Sequence, residues 1–109
     1  MLLLVLVAGL LVGTATHIEN IARAGLYPRP ELPLACNLFW SALVVVDPLV
    51  ALVLVFRPRT GVVLVVGLMA VDLTVNLAIA HLGFTAPVVA QMVYALLALV
   101  AVPVVRAAR

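Results

Sequence analysis

The amino-acid sequence predicts an all-α fold: a polytopic membrane four-helix antiparallel bundle in which residues 1–109 form a single transmembrane domain. Hydrophobic residues make up 68% of the 109 residues, and the mean hydropathy is +1.41. Charged residues make up 9%, compared with about 25% in a typical soluble protein. Four apolar stretches reach the roughly 20 residues that a helix needs to cross the hydrocarbon layer. These spans cover about residues 1–22, 34–56, 61–82 and 86–105.

The first span begins with the apolar run MLLLVLVAGLLV and then becomes polar at His17, Glu19 and Asn20. Glu19 lies four residues before Arg23, a spacing that favours a surface ion pair at the end of a helix. A secretory signal peptide is the competing interpretation, because Gly13-Thr14-Ala15 fits a small-residue cleavage site. The absence of Lys and Arg before the apolar run favours a membrane span instead.

The second span, residues 34–56, follows a loop with three prolines, which disfavour helix and remove backbone donors. Pro48 lies within this span and lacks the N–H that a helix interior uses, so the sequence predicts a kink next to Asp47. The segment from Arg57 to Gly61 is predicted to form a tight turn that separates the second span from the third.

The third span, residues 61–82, carries Asp72 near its centre and Asn76 about one turn further along the same face. A charged aspartate at mid-membrane costs roughly 2.5–3.5 kcal/mol, so Asp72 is expected to face the other helices. An interhelical clamp made by Asp72 and Asn76 contributes on the order of 1 kcal/mol. That gain is smaller than the cost, which favours a functional role for Asp72.

The connection between the third and fourth spans is short and contains His81. His81 lies on the opposite side of the helix from Asp72 and is expected at the membrane interface. Thr85 is a predicted N-cap of the fourth span, residues 86–105, and Pro87 suits its first turn.

The arginines predict the orientation of the chain in the membrane. With four spans, both termini and the turn that contains Arg57 and Arg59 lie on one side. That side holds four arginines and the other side holds two. The positive-inside rule therefore predicts a multi-pass protein of the cell membrane with both termini cytoplasmic.

Most of the polar side chains of the spans fall in the outer half of the bundle when they are placed by depth, at about 1.5 Å per residue. Asp47 alone falls in the inner half. This distribution predicts a polar pocket between the helices that opens toward the extracytoplasmic side, with Asp72 at its floor. The candidate ligand-binding residues are Asp72, Asn76, His17, Asn20, Ser41, Asp47, Gln91, Tyr94 and Trp40.

The leading functional hypothesis is a non-enzymatic membrane protein whose pocket binds a small cationic or amphiphilic molecule, or relays protons. Asp72 is the expected counter-charge, and His17 is a possible proton carrier because imidazole exchanges protons near neutral pH. One alternative is an accessory subunit of a larger membrane complex, or a homo-oligomer, whose polar residues hold helices together. Another is a membrane isomerase or cyclase that acts on an isoprenoid- or sterol-like lipid, with Asp72 or Asp47 as general acid.

Several classes of function lack support in the sequence. No basic run with interleaved aromatic residues is present, so no nucleic-acid partner is expected. His17, Glu19, Asp72 and His81 have suitable chemistry for metals but not the spacing of a metal motif, and neither a metal nor another cofactor is expected. Ser41 is the only serine and lacks the surroundings of a nucleophile.

One block of the sequence resembles a pattern found in small uncharacterised bacterial four-span integral membrane proteins. It covers the middle third of the chain and reads Phe39-Trp40, Asp47-Pro48-Leu49, Arg57-Pro58-Arg59, Gly61, Asp72 and Asn76. The resemblance implies a four-span fold and a membrane location, and it implies no activity. Small multidrug-resistance transporters have similar size but an embedded Glu in the first span, whereas Glu19 lies near a helix end. Sterol-isomerase-like proteins are also compact bundles with buried acids.

Overall fold

The computed structural model describes residues 2–25, 31–79 and 86–107, and these residues form four helices of membrane-spanning length. Helix α1 covers Leu2–Ala24, and α2 covers Leu34–Phe56. Helix α3 covers Pro58–Thr74 and continues as a π-helical turn, Val75–Ile79. Helix α4 covers Ala86–Ala107. No strand occurs in the described ranges, so the predicted all-α four-helix bundle is confirmed.

The helices pack side by side in chain order. The most extensive contacts join α1 to α2 and α3 to α4, and α2 and α3 pack together next. The fourth neighbouring pair, α1 and α4, has the fewest contacts of these four. The bundle is 47 Å long and 24 × 21 Å in cross-section, which exceeds the roughly 30 Å thickness of the hydrocarbon layer. These dimensions and the four apolar spans define a multi-pass membrane protein.

The third helix begins three residues earlier than predicted. The sequence places a turn from Arg57 to Gly61, whereas only Arg57 interrupts the helices in the structure. The Arg57 N–H donates to the Val53 carbonyl at 2.6 Å, and the Gly61 N–H donates to the Arg57 carbonyl at 2.8 Å. Pro58 is the first residue of α3, a position where its missing N–H has no cost. This junction marks one end of the bundle, called the Arg57 end below.

The other helix ends agree with the sequence within a few residues. Helix α1 stops where Gly25 adopts a left-handed conformation with φ of 76° and donates its N–H to the Ile21 carbonyl at 2.8 Å. That geometry is a glycine C-cap. Helix α2 continues without a break through Pro48. Helix α4 begins at Ala86, which puts Pro87 in its first turn as predicted.

Part of the predicted loops lies outside the described residues. This applies to His81 and its proposed interfacial position, to Thr85 as an N-cap, and to the end of the third span at residue 82. The π-helical turn at Val75–Ile79 was not predicted, because no local sequence signal marks it. A π-helical turn inside an α-helix shifts the direction of the following side chains and is frequent at functional sites.

The apolar core fills the half of the bundle nearest the Arg57 end. Gly61 lets α3 approach α2 closely, since a Cβ atom there would run into the backbone of Leu54. The outward faces of the helices carry exposed apolar side chains such as Leu52, Val63, Leu96 and Val104. Such a continuous apolar exterior fits a lipid environment. The buried core residues are Leu6, Leu10, Val50, Ala51, Leu54, Val62, Val65, Met69, Ala98, Ala101 and Val105.

Candidate functional site

Four polar side chains are buried in the described part of the chain: Asn37, Asp47, Asp72 and Asn76. Asn37 serves the loop before α2, where its Nδ2 donates to the carbonyls of Leu32 at 3.4 Å and Pro33 at 3.2 Å. The other three lie between the spans. They belong to two neighbouring groups with different hydrogen-bonding states, one around Asp72 and one around Asp47.

The first group joins three helices and is called the Asp72 cluster; it consists of Trp40, Asp72, Asn76 and Gln91. Asn76 Nδ2 donates to Asp72 Oδ1 at 3.3 Å and to Gln91 Oε1 at 2.7 Å. Gln91 Nε2 closes the ring by donating to Asp72 Oδ2 at 3.0 Å. Trp40 Nε1 donates to Asn76 Oδ1 at 2.8 Å from α2.

Every polar atom of Asn76 is used in this cluster. Both hydrogens of its amide nitrogen have acceptors, and its oxygen accepts the indole N–H. Both oxygens of Asp72 also accept a hydrogen bond. A fully connected polar network of this kind offsets the cost of placing polar groups in an apolar interior. The Asp72 cluster therefore holds α2, α3 and α4 in register.

The local sequence explains how the Asp72 cluster forms. Asp72 and Asn76 lie four residues apart and share one helix face, as the sequence predicts. The π-helical turn begins between them, at Val75, whose N–H points to the carbonyls of Asp72 and Val71. Asn76 thus lies inside the π-helical turn and contacts Gln91 on α4 and Trp40 on α2 at once.

The second group surrounds a cavity of about 280 Å³ between the four helices, called the Asp47 cavity. Asp47 and Asp72 both line it. No arginine from the described ranges lines it, so its charged groups are acidic or, for His17, weakly basic. The described residues that line it are Gly9, Leu10, Val12, Gly13, His17, Asp47, Met69, Asp72, Ala90, Gln91 and Tyr94.

Asp47 is only 4% exposed, and its two oxygens differ. Oδ2 lies 3.9 Å from His17 Nε2, which is an ion-pair distance and longer than a direct hydrogen bond. Oδ1 is buried and has no hydrogen-bond partner among the described residues. A buried carboxylate oxygen without a donor is costly, and such groups in a native structure call for an explanation.

The antiparallel arrangement of α1 and α2 explains why His17 and Asp47 meet. Helical side chains lean toward the N-terminus of their own helix. His17 on α1 therefore leans toward the Arg57 end, and Asp47 on α2 leans away from it. The sequence places Asp47 alone in the inner half, whereas the structure brings it into the same cavity as Asp72. Placing residues by their depth along the helix axis does not reveal the contact between His17 and Asp47, because it ignores the direction in which the side chains lean.

Two glycines on α1 shape one wall of the Asp47 cavity. The ring of Tyr94 packs directly on Gly9, where a Cβ atom would collide with it. The Tyr94 hydroxyl donates to the Leu6 carbonyl at 2.6 Å, so a neighbouring helix satisfies this group. A Cβ atom on Gly13 would lie 3.0 Å from Asp47 Oδ2. The Gly9–Gly13 spacing is the small-residue pattern that marks close helix contacts in membranes, a signal that sequence reasoning missed.

The predicted site residues divide into three sets. His17, Asp47, Asp72, Gln91 and Tyr94 line one cavity. Asn76 and Trp40 lie behind Asp72 in its hydrogen-bond cluster and do not line the cavity. Asn20 is exposed and Ser41 is half-buried, and neither lines the cavity.

Part of the cavity lining is exposed on the outside of the bundle. Two lining residues, Val12 and Ala90, are exposed there. They belong to α1 and α4, which contact each other less than the other three pairs of neighbouring helices do. The cavity is therefore accessible from the side of the bundle, along the seam between α1 and α4.

Several other polar side chains of the spans have partners away from this site. The hydroxyls of Thr14, Thr16 and Thr74 donate to the carbonyls four residues earlier in their own helices. The predicted surface pair is confirmed, with Arg23 Nη2 donating to Glu19 Oε1 at 2.7 Å. No set of three His, Cys, Asp or Glu side chains in the described ranges is arranged to hold a metal ion.

The fold and the composition of its spans define a small multi-pass integral membrane protein with a cavity that two aspartates line. No protein-family model, no curated protein and no solved structure matches the chain. The chemistry of the cavity is therefore the basis for a function.

Proposed function

We propose that this protein binds a small cationic or amphiphilic molecule in the Asp47 cavity. The observation that carries the proposal is Asp47, which lines a cavity of about 280 Å³ and has one buried carboxylate oxygen, Oδ1, without a hydrogen-bond partner among the described residues. A cation with an N–H donor satisfies both the charge and the hydrogen-bonding demand of this atom.

The two carboxylates of the cavity have different roles in this proposal. Asp72 Oδ1 and Oδ2 already accept hydrogen bonds from Asn76 and Gln91. Asp47 lacks such donors, and His17 approaches only Oδ2. Asp47 is therefore the carboxylate that contacts the ligand. Asp72 adds negative charge to the cavity and positions Gln91. This assignment differs from the expectation that Asp72 is the direct counter-charge of the ligand.

Three further lining residues complete the binding site. His17 fixes the orientation of Asp47 by approaching one of its oxygens. The Tyr94 ring forms an aromatic wall, and aromatic faces attract cations in desolvated sites. Gly13 leaves room beside Asp47 Oδ2 that any larger residue would fill.

Native mass spectrometry on protein extracted gently from its host membrane tests the proposal. We expect a bound small molecule that disappears in Asp47→Asn and remains in the exposed-surface control Val45→Ala. Asn keeps the shape of Asp47 and removes the charge, so loss of the ligand in this variant would show that binding depends on the charge of Asp47. Retention of the same molecule by Asp47→Asn would contradict the proposal.

A proton relay is the second candidate, and the contact between His17 and Asp47 favours it. Imidazole and carboxylate groups 3.9 Å apart form a pair that can exchange a proton once the contact shortens to hydrogen-bond length. In liposomes with an imposed pH gradient, we expect proton flux that His17→Asn and Asp47→Asn both abolish. Flux that persists in both variants, or its absence in the wild-type protein, rejects this candidate.

We further propose that the protein lies in a bacterial cell membrane with both termini cytoplasmic. The arginine distribution and the resemblance to small bacterial four-span proteins support this placement. Reporter fusions at each terminus that are active only in the cytoplasm test it. Stoichiometric co-purification of a second polypeptide, with no bound small molecule, would favour the accessory-subunit hypothesis instead.

A further inference from the structure

We infer that the occupant of the Asp47 cavity is a membrane-resident primary amine with a single alkyl chain, which enters sideways from the lipid through the α1–α4 seam. This inference rests on the proposed function and adds the class of ligand and its route. Three features of the cavity carry it: the position of its opening, its volume and its combination of a buried carboxylate with apolar side chains.

The opening faces lipid. Val12 is 66% exposed on α1, and Ala90 is exposed on α4, yet both line the cavity. Val93, three residues after Ala90 on the same helix, is 53% exposed and also apolar. A hydrated cation that arrived by this route would have to lose its water in the hydrocarbon layer, which is unfavourable. A molecule that already resides in the bilayer avoids this barrier.

The volume of the cavity limits what lies inside it. At about 280 Å³ it falls just below the range of roughly 300–1,000 Å³ that encloses a drug-sized ligand. It accommodates a small headgroup and a few methylene groups. The rest of a longer chain would extend through the seam and remain among the lipid chains.

The cavity lining combines polar and apolar side chains. His17, Asp47 and Asp72 are among the polar ones, and Leu10 and Met69 are among the apolar ones. The Oδ1 atom of Asp47 has no hydrogen-bond donor among the described residues, so a ligand that supplies both a donor and a positive charge suits this carboxylate. A primary ammonium group supplies both, whereas a quaternary ammonium group supplies only the charge. The mixed lining therefore fits an alkylammonium ion with its headgroup at Asp47.

The experiment uses the full chain in nanodiscs of neutral phosphatidylcholine and measures binding by calorimetry. The probes are ethylammonium, which fits inside the cavity, and dodecylammonium, whose chain must cross the seam. Val12→Phe and Ala90→Phe fill the seam from either side. Val5→Phe is the matched control on the same stripe of α1, and Ala70→Phe is the control for an exposed alanine; neither lines the cavity.

We expect the two seam variants to weaken dodecylammonium binding by roughly tenfold or more, the size of an overpacking effect. Ethylammonium binding should change by less than roughly threefold in the same variants, because its contacts with Asp47 are unaltered. The two controls should bind both probes as the wild-type protein does. Dodecyltrimethylammonium should bind more weakly than dodecylammonium.

Two outcomes overturn the inference in different ways. In the first outcome, Asp47→Asn abolishes the binding of both amines, but Val12→Phe and Ala90→Phe weaken the binding of neither. The lateral route is then wrong and the proposed function stands. If neither amine binds, or Asp47→Asn binds both normally, the proposed function fails together with the inference. Equal binding of dodecyltrimethylammonium and dodecylammonium would refute the primary amine as the headgroup.

Discussion

Asp47 and Asp72 are two buried carboxylates that line one cavity, 4% and 3% exposed, yet their hydrogen bonding is opposite. Both oxygens of Asp72 accept hydrogen bonds from amide side chains. Asp47 has one oxygen near His17 and one without a partner among the described residues. Burial alone therefore does not identify the acid that acts on a ligand. The degree to which the protein itself satisfies each acid separates a structural role from a binding role.

The sequence around each carboxylate accounts for this contrast. Asn76, one turn after Asp72, provides a donor from the same helix. The corresponding neighbours of Asp47 on α2 are Leu43 and Ala51, which have no polar side chains. Asp47 therefore depends on α1 for a partner, and α1 offers only His17 at 3.9 Å.

Replacing each acid by an apolar residue should separate the two roles most strongly. Asp72→Val removes the acceptor of Gln91 Nε2 and one of the two acceptors of Asn76 Nδ2, so we expect the free energy of unfolding to fall by about 1–3 kcal/mol. Asp47→Val removes an unsatisfied buried acceptor, so stability should stay the same or rise. Reversible unfolding in mixed micelles measures both variants. Equal losses in the two variants would show that both acids are structural.

The glycine beside Asp47 offers a smaller change that acts on the binding site alone. In Gly13→Ala the new Cβ atom lies 3.0 Å from Asp47 Oδ2 and displaces that carboxylate. We expect affinity for an alkylammonium ion to fall by roughly tenfold, or about 1.4 kcal/mol. Gly67→Ala is the matched control on α3, because nothing lies within 4 Å of its Cβ position. An equal effect of both substitutions would mean that helix flexibility, rather than the space beside Asp47, sets the affinity.

The smallest expected effect comes from the edge of the Asp72 cluster. Trp40→Phe removes only the bond from the indole N–H to Asn76 Oδ1. Interhelical hydrogen bonds in membranes contribute about 0.6 kcal/mol on average, so stability should fall by about that amount. Alkylammonium affinity should stay unchanged, because Trp40 does not line the cavity. A tenfold loss of affinity in this variant would show that the cluster and the binding site are one unit.

The sequence predicts the four spans and the contact between Asp72 and Asn76, because span length and helical spacing are local properties. It does not predict the contact between His17 and Asp47, which depends on how two antiparallel helices are rotated and offset. The early start of α3 at Pro58 was missed although proline is common at the first helical position. Gly9 and Gly13 carried a usable signal, because their spacing marks a close helix contact.

A single comparison tests most directly whether Asp47, rather than Asp72, holds the ligand. Ethylammonium binding is measured by calorimetry for Asp47→Asn and Asp72→Asn, two substitutions that each remove one charge and preserve shape. We predict that Asp47→Asn lowers the affinity by roughly tenfold or more, while Asp72→Asn lowers it by less than roughly threefold. A larger loss in Asp72→Asn than in Asp47→Asn would contradict the assignment and return Asp72 to the role of counter-charge.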